Sequence, residues 1–515
     1  MNAADRVTLN TSILYGRILV TMGITLYSTR LVLNALGGID YGIFNLIAGI
    51  ILMLSFLNAA MATSTQRYLS FHQGKRDLEM QKKVFINSLT LHIVIGLIIV
   101  ALLELTGLFL FDGILHIPLD RMIAAKTIYH FMSLTVFFTI ISTPFNGSLI
   151  AHENMFWVAL INVVEAILKL IIAVLLYIIP GDKLILYGLL TAGIAIVTFL
   201  LYACYCFKRY QECTISGMST PDKTMIRELG AFAGWNLFGA ACSVARTQGG
   251  AIILNVFFGA VINTAYGIAN QVSAQINFLS ATLLRAINPQ IMKSEGAGDR
   301  SRMLKLAMIA SKFSFFLLSI FAIPLIFEMD IVLNLWLGKV PENASVFCSL
   351  VLIASLFNQL TIGLQSAIQA TGEIKLYQVL VGGVLLMNLP IAYMLLKLGM
   401  PAYTMLISFS CVELLACALR LLMAKRVASL RIKDYFDRVL IPEVSPLIFS
   451  VITCYGITHW FPVSSLRFLF TGGLSATVFI LSAYYTGLCH DEKQIVNQSL
   501  SKIFNYFKKP DAKIN

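Results

Sequence analysis

Arg17, Arg30, Arg246 and Arg285 stand inside long apolar stretches of this chain. A guanidinium at bilayer depth costs about 2.5–3.5 kcal/mol on insertion scales, so it must face water, a counter-ion or an anionic ligand. Its planar fork of N–H donors matches the oxygens of phosphate and carboxylate. The chemistry on offer is therefore anion recognition. Arg246 lies near the middle of its stretch, too deep to snorkel, with Asn236, Ser243 and Thr247 on roughly the same side of the helix. A structural ion pair is the alternative reading of it. Arg17 shares a stripe with Thr21, Thr25 and Ser28 at helical spacing, which marks a cavity lining or a helix–helix contact. Arg30 points about 140° away from Arg17 on a straight helix and lies close enough to the helix end to snorkel. Arg285 shares a face with Gln271, Gln275 and Thr282; substrate entry and interfacial anchoring both account for it.

Neutral polar residues form a second pattern. Asn358, Thr361, Gln365, Gln369 and Glu373 recur every three or four residues, and Thr139, Ser142 and Asn146 match the first three at an offset of 219. A stripe present in both halves of the chain suggests a shared cavity, and its amides and hydroxyls suit either sugar hydroxyls or interhelical packing. Glu165 and Lys169 are four apart. They read as an intrahelical ion pair, or Glu165 reads as a carrier of H⁺ or Na⁺. Glu413 and Arg420 are expected to pair across two turns, and Lys312 to snorkel.

The elements that carry these residues are membrane helices. The chain of 515 residues is 58% hydrophobic and 12% charged, against about 25% charged in a soluble protein. Its mean hydropathy is +0.81. Apolar stretches of roughly 20 residues, enough to cross a bilayer, recur along its length. Fourteen helices are expected, near 12–34, 40–65, 84–111, 122–150, 156–180, 183–207, 229–257, 262–289, 305–328, 344–371, 376–397, 402–424, 441–461 and 466–488. With that alternation one side holds only Arg121, Lys126, Lys183, Lys339, Lys397 and Arg467, while most other lysines and arginines fall on the side of the termini. The positive-inside rule then makes both termini cytoplasmic. The net charge of +12 reflects basic cytoplasmic loops facing anionic lipid rather than nucleic-acid binding. Nine cysteines in mostly apolar surroundings read as buried hydrophobes, with no metal-ligand spacing. No cleavable signal peptide is read at the N-terminus, and no extramembrane segment has the length of a catalytic domain.

The chain also repeats. Leu33-Asn34, Gly38 and Tyr41-Gly42-Ile43 are followed much later by Leu254-Asn255, Gly259 and Tyr266-Gly267-Ile268, and Gln66, Gly74 and Arg76 recur as Gln290, Gly298 and Arg300. Duplicated helical bundles build many secondary transporters, with the substrate site between the halves. Residues 1–210 form one expected six-helix lobe and 225–424 the other. Helices 13 and 14 span 441–490, and 491–515 form a cytoplasmic tail. The segment with Gly217, Ser219, Thr220 and Pro221 reads as the inter-lobe linker, and the basic stretch 424–439 as an interfacial amphipathic helix. The fold class is thus all-α, polytopic, two pseudo-symmetric lobes plus two C-terminal helices.

With Leu36-Gly37 through Tyr41-Gly42-Ile43-Phe44, Leu335-Trp336-Leu337-Gly338 with Pro341, and Gln369-Ala370-Thr371-Gly372, the chain resembles the multidrug/oligosaccharidyl-lipid/polysaccharide exporter superfamily. Within it the resemblance is to the polysaccharide transporter and O-antigen repeat-unit flippase branch. It implies a MATE-like fold in a bacterial inner membrane and no enzymatic activity. The implied cargo is an undecaprenyl-pyrophosphate-linked oligosaccharide, moved from the cytoplasmic to the periplasmic leaflet by alternating access. No cofactor beyond H⁺ or Na⁺ is implied; membrane lipids and a polysaccharide polymerase are the implied partners. The substrate-binding candidates are Arg17, Arg30, Arg246, Arg285, Asn236, Gln271, Gln275, Asn146 and Gln365, with Glu165 as the ion-coupling candidate. With the cytoplasm negative, outward movement of two negative charges is favoured by about 4–5 kcal/mol per 100 mV.

Two relatives in function compete. A multidrug antiporter exporting organic cations calls for carboxylates on helices 1 and 7, which instead carry arginines. A lipid II flippase carries the same lipid pyrophosphate and is separated only by the Tyr-Gly-Ile-Phe region. A membrane glycosyltransferase calls for a large outer loop with carboxylates, and the longest outer connections are short.

Overall fold

The computed structural model describes residues 3–52, 55–111, 117–214, 222–494 and 496–497. The side chains of residues 3–8, 19, 26, 49–52, 55–59 and 260 lie outside that description. So do the expected linker residues 215–221 and the tail beyond 497. All the regular elements described are helices: α1 (residues 3–36), α2 (residues 38–52 and Ser55–Gly74), α3 (Leu78–Phe109), α4 (Met122–Ala151), α5 (Met155–Ile178), α6 (Lys183–Arg209), α7 (residues 223–258), α8 (residues 260–296), α9 (Arg300–Phe327), α10 (Ala344–Gln359 and Ile362–Thr371), α11 (Lys375–Lys397), α12 (Thr404–Ala428), α13 (Ile441–Trp460) and α14 (Ser465–Ser482). A short helix, Met329–Leu337, follows α9.

Eleven helical stretches among the described residues are long and apolar enough to cross a membrane, or twelve if the bent α10 is one span. By this measure, applied to the described residues, two of the fourteen expected helices do not count as separate spans. The stretch after Gly259 falls short because Asn263, Thr264, Asn270, Gln271, Gln275 and Asn277 dilute its apolar character. At the other kink, Leu9–Ala48 forms one continuous candidate through Gly37.

The chain divides into two compact units. One comprises Leu9–Leu237 with Gly296–Gly298; the other comprises Phe238–Glu295 and the chain from Asp299 on, joined by the N-terminal residues to Thr8. In the first, α4 is the central helix, packed against α2, α3 and α6, with Ile128 and Tyr129 buried in its N-terminal half. In the second, α9 and α12 hold that place: α9 carries Phe315, Leu318 and Ala322 into the core and packs against both pieces of α10 and against α13 and α14. The C-terminal helix pair is thus built onto α9.

The repeat is visible in the backbone, with a corrected register. Gly37 (φ 77°, ψ 171°) and Gly259 (φ 76°, ψ −167°) form equivalent kinks, in a region essentially reserved for glycine. Gly259 thus pairs with Gly37, not Gly38. Downstream, Arg76 and Gly298 both take positive φ. Asp77 and Asp299 then cap the next helix, each accepting at 3.0 Å from the amide of Met80 or Arg302. All these pairs are 222 apart, so the offset of 224 suggested by Gln66 and Gln290 is two residues out. Residue identity misled there because turn geometry tolerates exchange of arginine and glycine, whereas the N-cap requires a short side-chain acceptor. The 219 offset between α4 and α10 does describe their ends: Glu153 and Gly372 both take positive φ, with amides donating to Ile150 O (2.8 Å) and Gln369 O (3.2 Å).

The stretch 424–439 is not a separate surface helix. α12 ends at Ala428, and a helical turn from Ile432 runs through a π turn, Phe436–Leu440, directly into α13. Tyr435 and Val439 on it are fully buried, so it serves as a packed extension of α13.

Candidate functional site

α10 breaks at Leu360-Thr361, with a 43° bend between its pieces. A break inside the membrane frees backbone groups that must find partners. They do: Tyr435 Oη donates to Leu360 O at 2.6 Å, Cys417 Sγ to Phe357 O at 3.0 Å, and Gly363 N to Ser311 Oγ at 3.0 Å. Gly363 is required, because a Cβ there would run into the carbonyl oxygen of Ala307.

Beside this break lies a buried ion cluster. Glu413 of α12 accepts from Arg246 of α7 at 3.0 Å, Arg420 at 3.1 Å and Asn358 of α10 at 2.6 Å. Arg420 also donates to Thr361 Oγ1 at 3.3 Å, and the Arg246 guanidinium lies 5.1 Å from the centre of the Phe409 ring. Two guanidinium groups share one carboxylate, so the cluster carries one excess positive charge. Glu413 and Arg420 are almost completely enclosed, whereas 18% of the Arg246 side chain is accessible.

That accessible part borders a cavity of about 360 Å³ lined by α7, α8, α10 and α12, with Ser243, Arg246 and Thr247 on one wall and Asn270, Ser273, Asn277 and Ser280 on the next. Ser355, Asn358 and Gln359 of α10 complete the polar lining. The wall is pre-ordered by its own hydrogen bonds: Ser273 with Ser355 at 3.0 Å, Asn277 to Ser355 at 3.0 Å, and Gln359 to Asn277 at 3.2 Å.

The first unit holds a different cavity, of about 270 Å³, between α4, α5 and α6. Thr139, Ser142 and Asn146 line it together with Glu165, Lys169, Thr191 and Tyr202. Glu165 and Lys169 form the expected i,i+4 pair at 2.7 Å. The hydroxyls of Thr139, Ser142 and Thr191 donate to carbonyls four residues back, which leaves their oxygens as acceptors. The equivalent helices α4 and α10 line the two cavities, with Thr139 and Asn358 at the 219 offset, but the first-unit cavity also uses α5, whereas the second-unit cavity uses α7 and α8.

Of the sequence candidates, Arg246 lines the second-unit cavity, and Asn146 and Glu165 line the first-unit cavity. Gln271 and Gln275 are exposed and line neither. The cavity face of α8 is the neighbouring one, with Asn270, Ser273, Asn277 and Ser280 at spacings of 3, 4 and 3. Arg285 is half-buried on α8. Gln365 is half-buried beyond the break; the bend splits the α10 stripe, so Asn358 and Thr361 join the ion cluster without it. Asn236 is buried, donates to Phe232 O at 3.1 Å, and belongs to the first unit. Arg17 is half-buried, with Thr21 bonded to its carbonyl at 2.9 Å, and Arg30 is exposed.

Lys312 does not snorkel. It is fully buried and bonded to both oxygens of Glu492, at 2.7 and 3.0 Å. Sequence reading also passed over Glu328, whose buried carboxylate takes Arg467 at 2.7 Å, and Glu443. Their flanking apolar residues were the available signal, but both fall at helix ends. Among the described residues the cysteines are unpaired and no His/Cys/Asp/Glu group suits a metal.

No family model matches the chain, and no curated protein does. Solved structures match its fold. A crystal structure of MATE in the bent conformation aligns with TM-score 0.72 at 14% identity, over 84% of this chain and 99% of that one. An outward-facing multidrug resistance MATE family transporter of the MOP superfamily gives 0.70 at 16%, over 83% and 96%. A MOP superfamily transporter from Pyrococcus furiosus, described as having a binding pocket of reverse polarity that suggests a different function, gives 0.69 at 16%, over 83% and 95%. The chain therefore has a MATE-like fold, in an all-α, multi-pass membrane protein.

Proposed function

We propose that this protein is a flippase for undecaprenyl-pyrophosphate-linked oligosaccharide repeat units, working by alternating access in surface-polysaccharide assembly. The observation that carries the reading is the Arg246 cluster. Two guanidinium groups share one carboxylate, and Arg246 borders a cavity walled otherwise by amides and hydroxyls. Such a wall suits a ligand that is anionic at one end and rich in hydroxyls at the other. A structural relative is described as having a binding pocket of reverse polarity that suggests a different function, which is compatible with this reading. The proposal includes a bacterial inner-membrane location, cytoplasmic termini and a polysaccharide polymerase as partner.

A second reading, H⁺- or Na⁺-driven export of organic cations, is favoured by Glu413, a carboxylate at the cavity wall. Leaflet transfer of a short undecaprenyl-pyrophosphate glycan in proteoliposomes separates the two. Transfer that Arg246→Ala lacks supports the flippase. Ion-driven efflux of organic cations without glycan transfer overturns it.

A further inference from the structure

The first turn of α13 carries a carboxyl group that the cavity reading does not use. Glu443 is 2% exposed, and among the described residues neither of its oxygens has a hydrogen-bond partner. An isolated carboxylate in such a place costs many kcal/mol, and the ordinary remedy is to carry a proton. The nearby cation is Lys312 of α9, whose field reaches Glu443. It is already neutralised by Glu492, which lies beyond α14 and is itself 6% exposed. Gly487 joins the two regions. Its carbonyl accepts from Lys312 Nζ at 3.3 Å, and a Cβ on it would lie 3.2 Å from Pro442 O, next to Glu443. Two buried carboxyl groups thus flank one buried ammonium, and only one is bonded to it.

We propose that Glu443 is a proton-carrying carboxyl group, and that Glu443 and Glu492 are alternative counter-ions of Lys312. With Glu492 in place, Glu443 is neutral and the buried cluster has no net charge. When the segment carrying Glu492 leaves, the Glu443 O–H bond breaks, its proton passes to water, and the carboxylate formed pairs with Lys312. The Glu492 carboxylate becomes hydrated. One proton is released per opening, and no electrons move.

Among the described residues the opening segment makes further contacts: Cys489 Sγ lies 3.7 Å from Lys312 Nζ, and Leu488 packs on the core around α9. Lys305 pairs with Asp491 at 2.6 Å, both on the exposed surface. Lys493 donates to Tyr485 O at 3.0 Å. Around Glu443, Tyr435 is buried with its hydroxyl committed to Leu360 O. Asp437, Arg438 and Tyr485 on the adjoining turns are exposed, and Tyr484 bonds to Asn497 at 3.0 Å. None of these replaces Lys312 as a buried counter-ion. Both carboxyl groups lie outside the duplicated helices, Lys312 alone lies on one of them, and the site is independent of which cargo is carried.

Infrared spectroscopy of the full chain in lipid nanodiscs tests the assignment. At neutral pH the wild type should show a protonated carboxylic-acid carbonyl band that Glu443→Gln lacks. Glu492→Gln should lack it too, because Lys312 then takes the Glu443 carboxylate. A band unchanged by Glu443→Gln overturns the proton site, and one that survives Glu492→Gln overturns the exchange of counter-ions. Hydrogen exchange of residues 488–494 gives a second readout. Opening, corrected for intrinsic exchange, should rise by up to about tenfold per pH unit in wild type, the limit for one linked proton, and should be flat in Glu443→Gln. Equal pH dependence in both overturns the linkage. Glu443→Gln is isosteric with the neutral acid, so its failure to fold also counts against the proposal.

Discussion

Glu413→Ala should be far more damaging to the fold than Arg246→Ala, although the two residues form one ion pair. Glu413 accepts from Arg246, Arg420 and Asn358 at 3.0, 3.1 and 2.6 Å. Its removal strands Arg420, which is 3% exposed. Breaking a buried pair in this way costs about 3–5 kcal/mol. Arg246→Ala removes one charge-assisted hydrogen bond, about 1.5–3 kcal/mol. It leaves Glu413 two donors, and the lost group bordered a cavity. The expected order in thermal unfolding of the detergent-solubilised protein is therefore wild type, then Arg246→Ala, then Glu413→Ala by a wide margin. Combining Glu413→Gln with Arg420→Met, which removes the buried charges at similar volume, should recover much of the loss. Equal destabilisation by Arg246→Ala and Glu413→Ala would refute the reasoning. Arg246 would then be a structural counter-ion, and its effect on transport would carry no information about cargo.

Arg246→Lys should lose most glycan transfer while remaining folded, because an ammonium cannot supply the forked donor pair; full transfer in proteoliposomes would show that charge alone suffices. Gly37→Ala and Gly259→Ala should each cost about 1–3 kcal/mol from backbone strain alone, since no heavy atom lies within 4 Å of a Cβ at either site; thermal stability equal to wild type would refute the equivalence of the two kinks. Gly363→Ala should destabilise through its clash with Ala307 O, whereas Gly383→Ala, with nothing within 4 Å, should not; matched melting curves would count against the close packing of α10 on α9. At the turn before α6, partial burial raises the Asp182 pKa, but hydrogen bonds from Arg121 and from the Ile185 and Leu184 amides outweigh it and hold the carboxyl below its ordinary value. A depressed folded-state pKa contributes stability above the unfolded value and loses it as pH falls through the folded one. The wild-type advantage over Asp182→Asn should therefore be present at neutral pH and vanish in acid; an advantage that grows in acid would invert the sign.

Composition, periodicity and duplication were enough for the coarse architecture, because membrane helices are specified locally. Each must satisfy its own backbone and carry an apolar surface, and both conditions are written in consecutive residues. The Glu165–Lys169 pair was legible for the same reason, being four residues apart on one helix. Arg246 stood out because a charge in an apolar stretch is conspicuous whatever surrounds it. Its partner did not: Glu413 is 167 positions away, and no periodicity relates α7 to α12. On α8 two neighbouring faces are polar, and only packing against α7 and α10 turns Asn270, Ser273, Asn277 and Ser280, rather than Gln271 and Gln275, toward the second-unit cavity. Lys312 looked able to snorkel until the chain beyond α14 returned to cover it with Glu492. The register of the repeat likewise required turn geometry, since identical residues can stand two positions from the structurally equivalent ones. The sequence by itself determined which residues are costly to place in a membrane; tertiary structure decided what compensates each of them, because a counter-ion is chosen by distance in space and not along the chain.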